Sequence, residues 1–175
     1  MIMFTVWTVG HSTRSGEEFG KILEAHGIRV LVDVRMFPGS RRYPQFNRAA
    51  LSESLAALGI EYRHAPKLGG RRTPRADSHN TAWKNAQFRA YADHMETEEF
   101  RSAVKELLQV AGERRVAVMC AEAVWWRCHR SLISDYLKAA GHTVIHIINE
   151  NKTEEHPFTS AARIIDGHLT YRGLI

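Results

Sequence analysis

Short apolar, β-branched runs alternate with stretches of helical periodicity along most of the chain, and that rhythm leaves few folds open. "VLVDV" at 30–34 and "VAVMC" at 116–120 are apolar runs rather than strict apolar–polar alternations. Strands of that kind are buried on both faces, as in a parallel sheet covered by helices. Further strands are expected at 4–9, 60–64 and 143–148. Helices are expected at 15–26, 47–58, 86–95, 97–111 and 131–140. The first carries Phe19, Ile22, Leu23 and His26 on one face, with Ser15 and Glu18 as a capping box and Gly27 as its stop. The fold class is therefore α/β: one three-layer domain with a mainly parallel sheet of about five strands and helices on both faces. We place that domain at residues 1–150. Residues 151–175 form a C-terminal tail in which 164–171 suits a β-hairpin around Asp166-Gly167.

The chain of 175 residues suits a single core of ordinary composition, with 44% hydrophobic and 25% charged residues. No apolar stretch approaches the roughly 20 residues of a bilayer-spanning helix, and "MIMFTVWTVGHS" does not read as a basic leader with a cleavage site. We expect a cytoplasmic protein without membrane attachment. Its two cysteines do not make a disulfide framework. No cofactor is expected, and the oligomeric state is left open. Charge is uneven: residues 34–76 hold nine basic side chains against Glu53 and Glu61. Such a field suits a phosphate-bearing small molecule or a nucleic acid, although a plain solvated basic face has the same signature.

Ligands of covered parallel sheets bind outside the carboxyl ends of the strands, so the residues just after each strand matter most. Those after the first are Gly10, His11 and Ser12; after the second, Asp33, Arg35 and "FPGSRRYP"; after the third, His64 and "LGGRR". The fourth ends in Cys120, Glu122 and Arg127-Cys128-His129-Arg130. Gly10-His11-Ser12 could hold a phosphate through backbone amides and the Ser12 hydroxyl, with His11 as acid or base, or be a tight turn. Asp33 and Arg35 point the same way from one strand end, which suits either catalysis or a geometry-fixing pair. Ser40, Arg41, Arg72 and Arg130 join Ser12 and Arg35 as candidate anion ligands, because a guanidinium matches phosphate geometry. The 65–83 stretch, aperiodic and rich in Gly and Pro, reads as a loop roofing the site.

"VMCAEAVWWRCHRS" at 118–131 holds both cysteines and admits several readings. Cys120 sits where a thiol-phosphatase or sulfurtransferase nucleophile would, yet six residues separate it from Arg127 and the loop has no glycine. Cys128, flanked by Arg127, His129 and Arg130 at a helix start, is the better thiolate candidate. Glu122 or His129 would serve it as acid or base. A metal site of Cys120, Cys128, His129 and His11 is a further possibility, at a spacing unusual for zinc. Either cysteine could also be plain core. Trp125 and Trp126 suit stacking on a base or packing over the sheet edge.

The blocks "TVGHSTRSGEEF", "LVDVRMFPGSRRYPQFN", "YRHAPKLGGRR", "YADHM" and "MCAEAVWWRCHRSLISDYL" occur in order and, from about Thr8 to Ile148, the chain resembles the prokaryotic family called domain of unknown function 488. The resemblance implies a compact α/β domain. Its motif residues fall here on Gly10, His11, Ser12, Asp33, Arg35, Ser40, Arg41, Leu68, Gly69, Gly70, Cys120, Glu122, Cys128, His129 and Arg130. It implies no reaction. The expected function is an enzyme acting on a phosphate-bearing substrate, a thiol-dependent hydrolase or transferase. The alternatives are a nucleic-acid-binding module that uses the 34–76 segment with structural cysteines, and the Cys/His metal site.

Overall fold

The structure, a computed structural model, describes residues 2–173. Eight strands and five α-helices follow in chain order: β1 Thr5–Gly10, α1 Gly16–Ala25, β2 Val30–Asp33, α2 Arg48–Ala56, β3 Glu61–His64, α3 Ala86–His94, α4 Glu98–Glu113, β4 Val116–Cys120, α5 Arg130–Ala139, β5 Thr143–Asn149, β6 Lys152–Glu155, β7 Arg163–Ile165 and β8 His168–Thr170. β1 to β6 form one sheet in the order β3-β2-β4-β1-β5-β6, parallel except at β6. β7 and β8 form a separate hairpin whose turn residues, Asp166 and Gly167, both have positive φ, as a tight hairpin turn demands.

Alternation within each apolar run distributes side chains between two cores. Val30, Val32 and Val34 of the β2 segment, with Val116, Val118 and Cys120 of β4, face Tyr91, Phe100, Val104, Leu107, Leu132 and Ile133 of α3, α4 and α5. Leu31, Ala117 and Met119 face the other way, against Phe19, Ile22 and Leu23 of α1 and Leu51 and Leu55 of α2. Helix starts follow their capping chemistry: Ser15 Oγ accepts from Glu18 N, Asn85 Oδ1 from Gln87 N and Phe88 N, and Thr97 Oγ1 from Phe100 N. α2 stops at Ala56, short of the 58 expected from the sequence, and Leu58, beyond its end, is 38% exposed.

The sixth strand had no apolar signal. All four residues of β6, "KTEE", are exposed, because an antiparallel edge strand needs only backbone partners from β5. Beyond it, Tyr171 returns to the core beside Tyr91 and Leu132. No helix among the described residues is long and apolar enough to cross a membrane.

The sheet register brings the strand ends together. Gly10 is paired with Cys120, and Asp33 with both Met119 and His64. The chain leaving β4 then folds back over β1, where His11 N donates to Cys120 O and Ser12 N to Ala121 O, at 3.0 Å each. Gly10 allows this, since a Cβ there would lie 1.9 Å from Glu122 O. Gly10→Ala should therefore destabilise the fold by about 3 kcal/mol in denaturant unfolding. Gly39→Ala, with open space around the position, should leave the midpoint near that of the parent.

Candidate active site

The aligned strand ends open onto a cleft of about 540 Å³. Cys120, Glu122, Arg127, Cys128 and His129 form one wall, His11, Arg35 and Ser40 a second, and Gly70 with Arg71 a third. Gln87, Phe88 and Tyr91 of α3 also line it, as do Phe37 and Tyr43. The roof expected from 65–83 is narrower than anticipated. Ser78 Oγ and Asn80 Nδ2 donate to Asp93 Oδ1 at 2.5 and 2.7 Å, and Arg75 pairs with Glu96 at 2.8 Å. These contacts hold the later part of the loop on the end of α3, leaving Gly70 and Arg71 at the cleft.

Asp33 is fully buried and saturated. Arg35 grips it in a bidentate pair, Nε to Oδ1 at 2.9 Å and NH2 to Oδ2 at 2.8 Å, while Arg35 N donates to Oδ1 and Tyr62 OH to Oδ2. Such an acceptor set leaves Asp33 the task of fixing Arg35. Arg35 NH2 also donates to Phe46 O, and its NH1 faces His11 Nε2 at 3.4 Å. The His11 ring stacks on Phe46 and donates from Nδ1 to Ser12 O at 2.8 Å, leaving Nε2 as the acceptor toward the cleft. Burial first, with the Arg35 charge beside it, outweighs the Ser12 carbonyl and lowers the His11 pKa to about 4.

The two thiols meet across the 120–128 loop, with their sulfurs 2.7 Å apart. A short 3-10 turn at Trp125–Arg127 reverses the chain, and Trp125 is buried flat on His146 with Nε1 donating to Glu154. Trp125 therefore packs over the sheet edge, whereas Trp126 is 56% exposed. Cys128 precedes α5 and receives Arg130 N–H at 3.4 Å. Burial alone would raise its thiol pKa, but the Cys120 thiol, the Arg130 charge and that N–H together bring it down to about 7. Cys120 moves the opposite way, pushed well up by burial and by its neighbour Cys128. His129 Nε2 donates to Val34 O at 2.9 Å, so Nδ1 is its free acceptor, 3.6 Å from Cys128 Sγ. Gly70 leaves room for that ring, since a Cβ there would lie 3.1 Å from Nδ1.

Arg130, expected among the anion ligands, is only 1% exposed and does not line the cleft. Its NH2 holds Glu122 O at 2.7 Å and Ala123 O at 3.4 Å, so it shapes the loop from within. Its NH1 reaches Thr8 Oγ1. From there a buried chain continues through His146 and His156 to Asp135, with links of 2.5, 2.8 and 2.8 Å. Asp135 also accepts from Thr159 and from Tyr171 OH. Burial holds His146 neutral far below its ordinary range, so one of its ring nitrogens donates and the other accepts, and the chain is unbroken. In the sequence His146 sits inside the 143–148 strand run with nothing to set it apart, and nothing local marks Thr8, Asp135 or His156.

The other expected ligands are dispersed. Arg72 caps its own loop through Gly69 O and Pro66 O, and Arg41 is exposed outside the cleft wall. Ser40 Oγ accepts from Arg42 N and Tyr43 N. The amides of His11 and Ser12 are spent on the β4 loop rather than free for a phosphate. The four-ligand metal set is not assembled: among the described residues no group of three or more His, Cys, Asp or Glu side chains is placed to hold an ion. Missed by sequence reasoning were Tyr62, Phe88 and Tyr91. Tyr91 OH donates to Leu68 O and its ring lies 5.0 Å from that of His129, and the "YADHM" block was its one signal.

Fold and site together define an α/β protein with a paired-thiol cleft at the carboxyl edge of a parallel sheet. The chain belongs to the family described as Domain of unknown function DUF488, whose sequence model matches residues 15–137. The match begins after His11 and Ser12. No curated protein and no solved structure matches the chain.

Two outcomes follow from this geometry. Arg35→Met leaves Asp33 buried without its cation, and unfolding should be easier by about 3–5 kcal/mol. His11 is the second: a histidine with a folded pKa near 4 and an unfolded value near 6.5 takes up its proton preferentially in the unfolded state. Its contribution is full above pH 6.5 and is lost as pH falls toward 4. Denaturant midpoints across that window should fall with pH in the parent and less steeply in His11→Gln.

Proposed function

We propose that the cleft is the active site of a thiol-dependent hydrolase or transferase acting on a phosphate-bearing substrate, a nucleotide or a nucleic-acid component. One observation carries this reading: Cys128 lines the cleft, and its sulfur has an N–H donor, an imidazole nitrogen and a second thiol around it. With a pKa of about 7, thiol and thiolate coexist at neutral pH, and His129 Nδ1 is placed to take the proton when Cys128 attacks. Glu122, exposed on the same wall, is available to donate to or accept from a leaving group.

The rest of the cleft supports the substrate class. Arg71 and Arg127 are exposed on its walls, and Arg35, held by Asp33, presents NH1 deeper in. Phe37 is 70% exposed with the Arg71 guanidinium 5.8 Å from its ring centre, and Tyr43 and Phe88 line the same space. Cations beside flat apolar faces suit a phosphate joined to a heteroaromatic base.

The test is alkylation by iodoacetamide, followed by peptide mass spectrometry. Cys128 should be labelled before Cys120, with a rate that rises through a midpoint near pH 7. Nucleoside monophosphates should slow the labelling, and the double variant Arg71→Ala, Arg127→Ala should lose most of that protection, about tenfold or more. A labelling midpoint at the ordinary thiol value of about 8.5, or no protection by any phosphate compound, sinks the proposal.

A second reading has its own observation, the exposure of Arg41, Arg42 and Arg71 along one basic segment. Under it, a single-stranded oligonucleotide binds with an affinity that falls steeply with salt. Replacing Arg41 and Arg42 weakens that binding, and Cys128→Ser does not. Binding that ignores salt, or its absence, removes this reading.

A further inference from the structure

The nucleophile reading uses one thiol and leaves the other unexplained. Cys120 lies at the end of β4, also lines the cleft, and has its sulfur 2.7 Å from that of Cys128. A disulfide needs about 2.05 Å between sulfurs, so closing the bond asks for a displacement well under an ångström. The two residues are held independently. Cys120 is fixed by strand pairing to Gly10. Cys128 is fixed because its carbonyl accepts from Ser131 N and Ser131 Oγ at the start of α5. The loop between them is clamped by Arg130 on Glu122 O and Ala123 O. The fold therefore pays in advance the entropy of bringing the sulfurs together.

We propose that Cys128 and Cys120 form a redox-active dithiol that exchanges with low-molecular-weight disulfides, giving this cleft a thiol–disulfide oxidoreductase activity. Cys128 is the attacking sulfur and Cys120 the resolving one. In the first step the Cys128 thiolate attacks one sulfur of a disulfide RSSR. The Cys128–SR bond forms, the S–S bond of RSSR breaks, and RS⁻ leaves to be protonated. In the second step Cys120 loses its proton, to His129 Nδ1 or to the departing thiolate, and attacks Cys128 Sγ. The Cys120–Cys128 bond forms and the second RS⁻ leaves. Two thiols are oxidised, one RSSR is reduced to two RSH, and the reverse sequence returns the dithiol.

The asymmetry of the pair assigns the roles. Cys128 has the Arg130 N–H on its sulfur and an imidazole nitrogen beside it, whereas the Cys120 thiol sees the other sulfur and the Glu122 carbonyl. A carbonyl oxygen stabilises S–H, not S⁻. The resolving thiol is thus kept protonated until the mixed disulfide has formed next to it. Oxidation also removes the nucleophile of the proposed transferase or hydrolase chemistry, so the two activities exclude one another at this site. The inference rests on Cys128 being reactive in the way that chemistry requires.

The experiment incubates reduced protein with glutathione disulfide and follows the intact mass, with iodoacetamide labelling run in parallel. The parent should lose two hydrogens and retain no glutathione, and dithiothreitol should restore both thiols. Cys120→Ser should stop at the intermediate, with one glutathione on Cys128, and Cys128→Ser should take up none. The parent's mass decides the matter without reliance on either variant. A parent that keeps glutathione on Cys128, or stays reduced while iodoacetamide still labels Cys128, overturns the dithiol and leaves the nucleophile reading standing. If neither reagent reaches Cys128, both fail.

Discussion

A charge buried without solvent must find partners, and among the described residues Arg130 is the largest side chain almost wholly withdrawn from water. Its guanidinium takes two carbonyls of the 120–128 loop and one threonine hydroxyl. The loop that carries Glu122 and leads to Cys128 is therefore shaped around a cation inside the fold, not around a ligand in the cleft. The balancing anion is remote. Asp135, fully buried one turn along α5, is reached through Thr8, His146 and His156, which tie β1, β5 and the chain beyond β6 to the same helix. The nearer group able to take negative charge is the Cys128 sulfur, and Arg130 favours its thiolate.

That arrangement explains how one short segment holds two unlike thiols. Burial penalises both anions alike. What separates them is the contact between the sulfurs, which favours the anion at Cys128 and disfavours it at Cys120, together with the Arg130 amide on Cys128 at the start of α5 and the Glu122 carbonyl beside Cys120. A second buried charge system works on the other wall. Asp33 and Arg35 neutralise one another with good geometry and tyrosine support, and Arg35 is held at the cleft with one nitrogen facing His11. Both systems put a guanidinium close to the cleft while anchoring it elsewhere, so that neither is free to move with whatever enters.

Much of the scaffold could be read from local pattern, because covered parallel strands need uninterrupted apolar residues and their helices need a period and a cap. β4 begins and ends where "VAVMC" does, and α1 begins after Ser15. β6 escaped because an exposed edge strand has no apolar requirement, and its four residues are Lys, Thr, Glu and Glu. The site was legible as a set of strand ends, since the switch from strand to loop at one sheet edge is a topological consequence. The inward or outward aim of each arginine was not. Arg72 and Arg130 read as cations of the same kind as Arg71, yet one caps a loop, one is interred and one faces the cleft.

From sequence alone came the parallel sheet, the edge that carries the candidate site, the thiols, and the greater suspicion attached to Cys128. These depend on periodicity and on chemical neighbours along the chain, both of which are local. Tertiary structure alone decided that the two sulfurs touch, that Asp33 is spent on Arg35, that Tyr91 from α3 closes the cleft beside His129, and that Arg130 is joined to Asp135 by a buried chain. Apart from the Asp33–Arg35 pair, which lies within one strand end and whose choice of role waited on burial and on Tyr62, each of those joins residues from separate elements, and its geometry is set by strand register and helix packing that no local run of residues encodes.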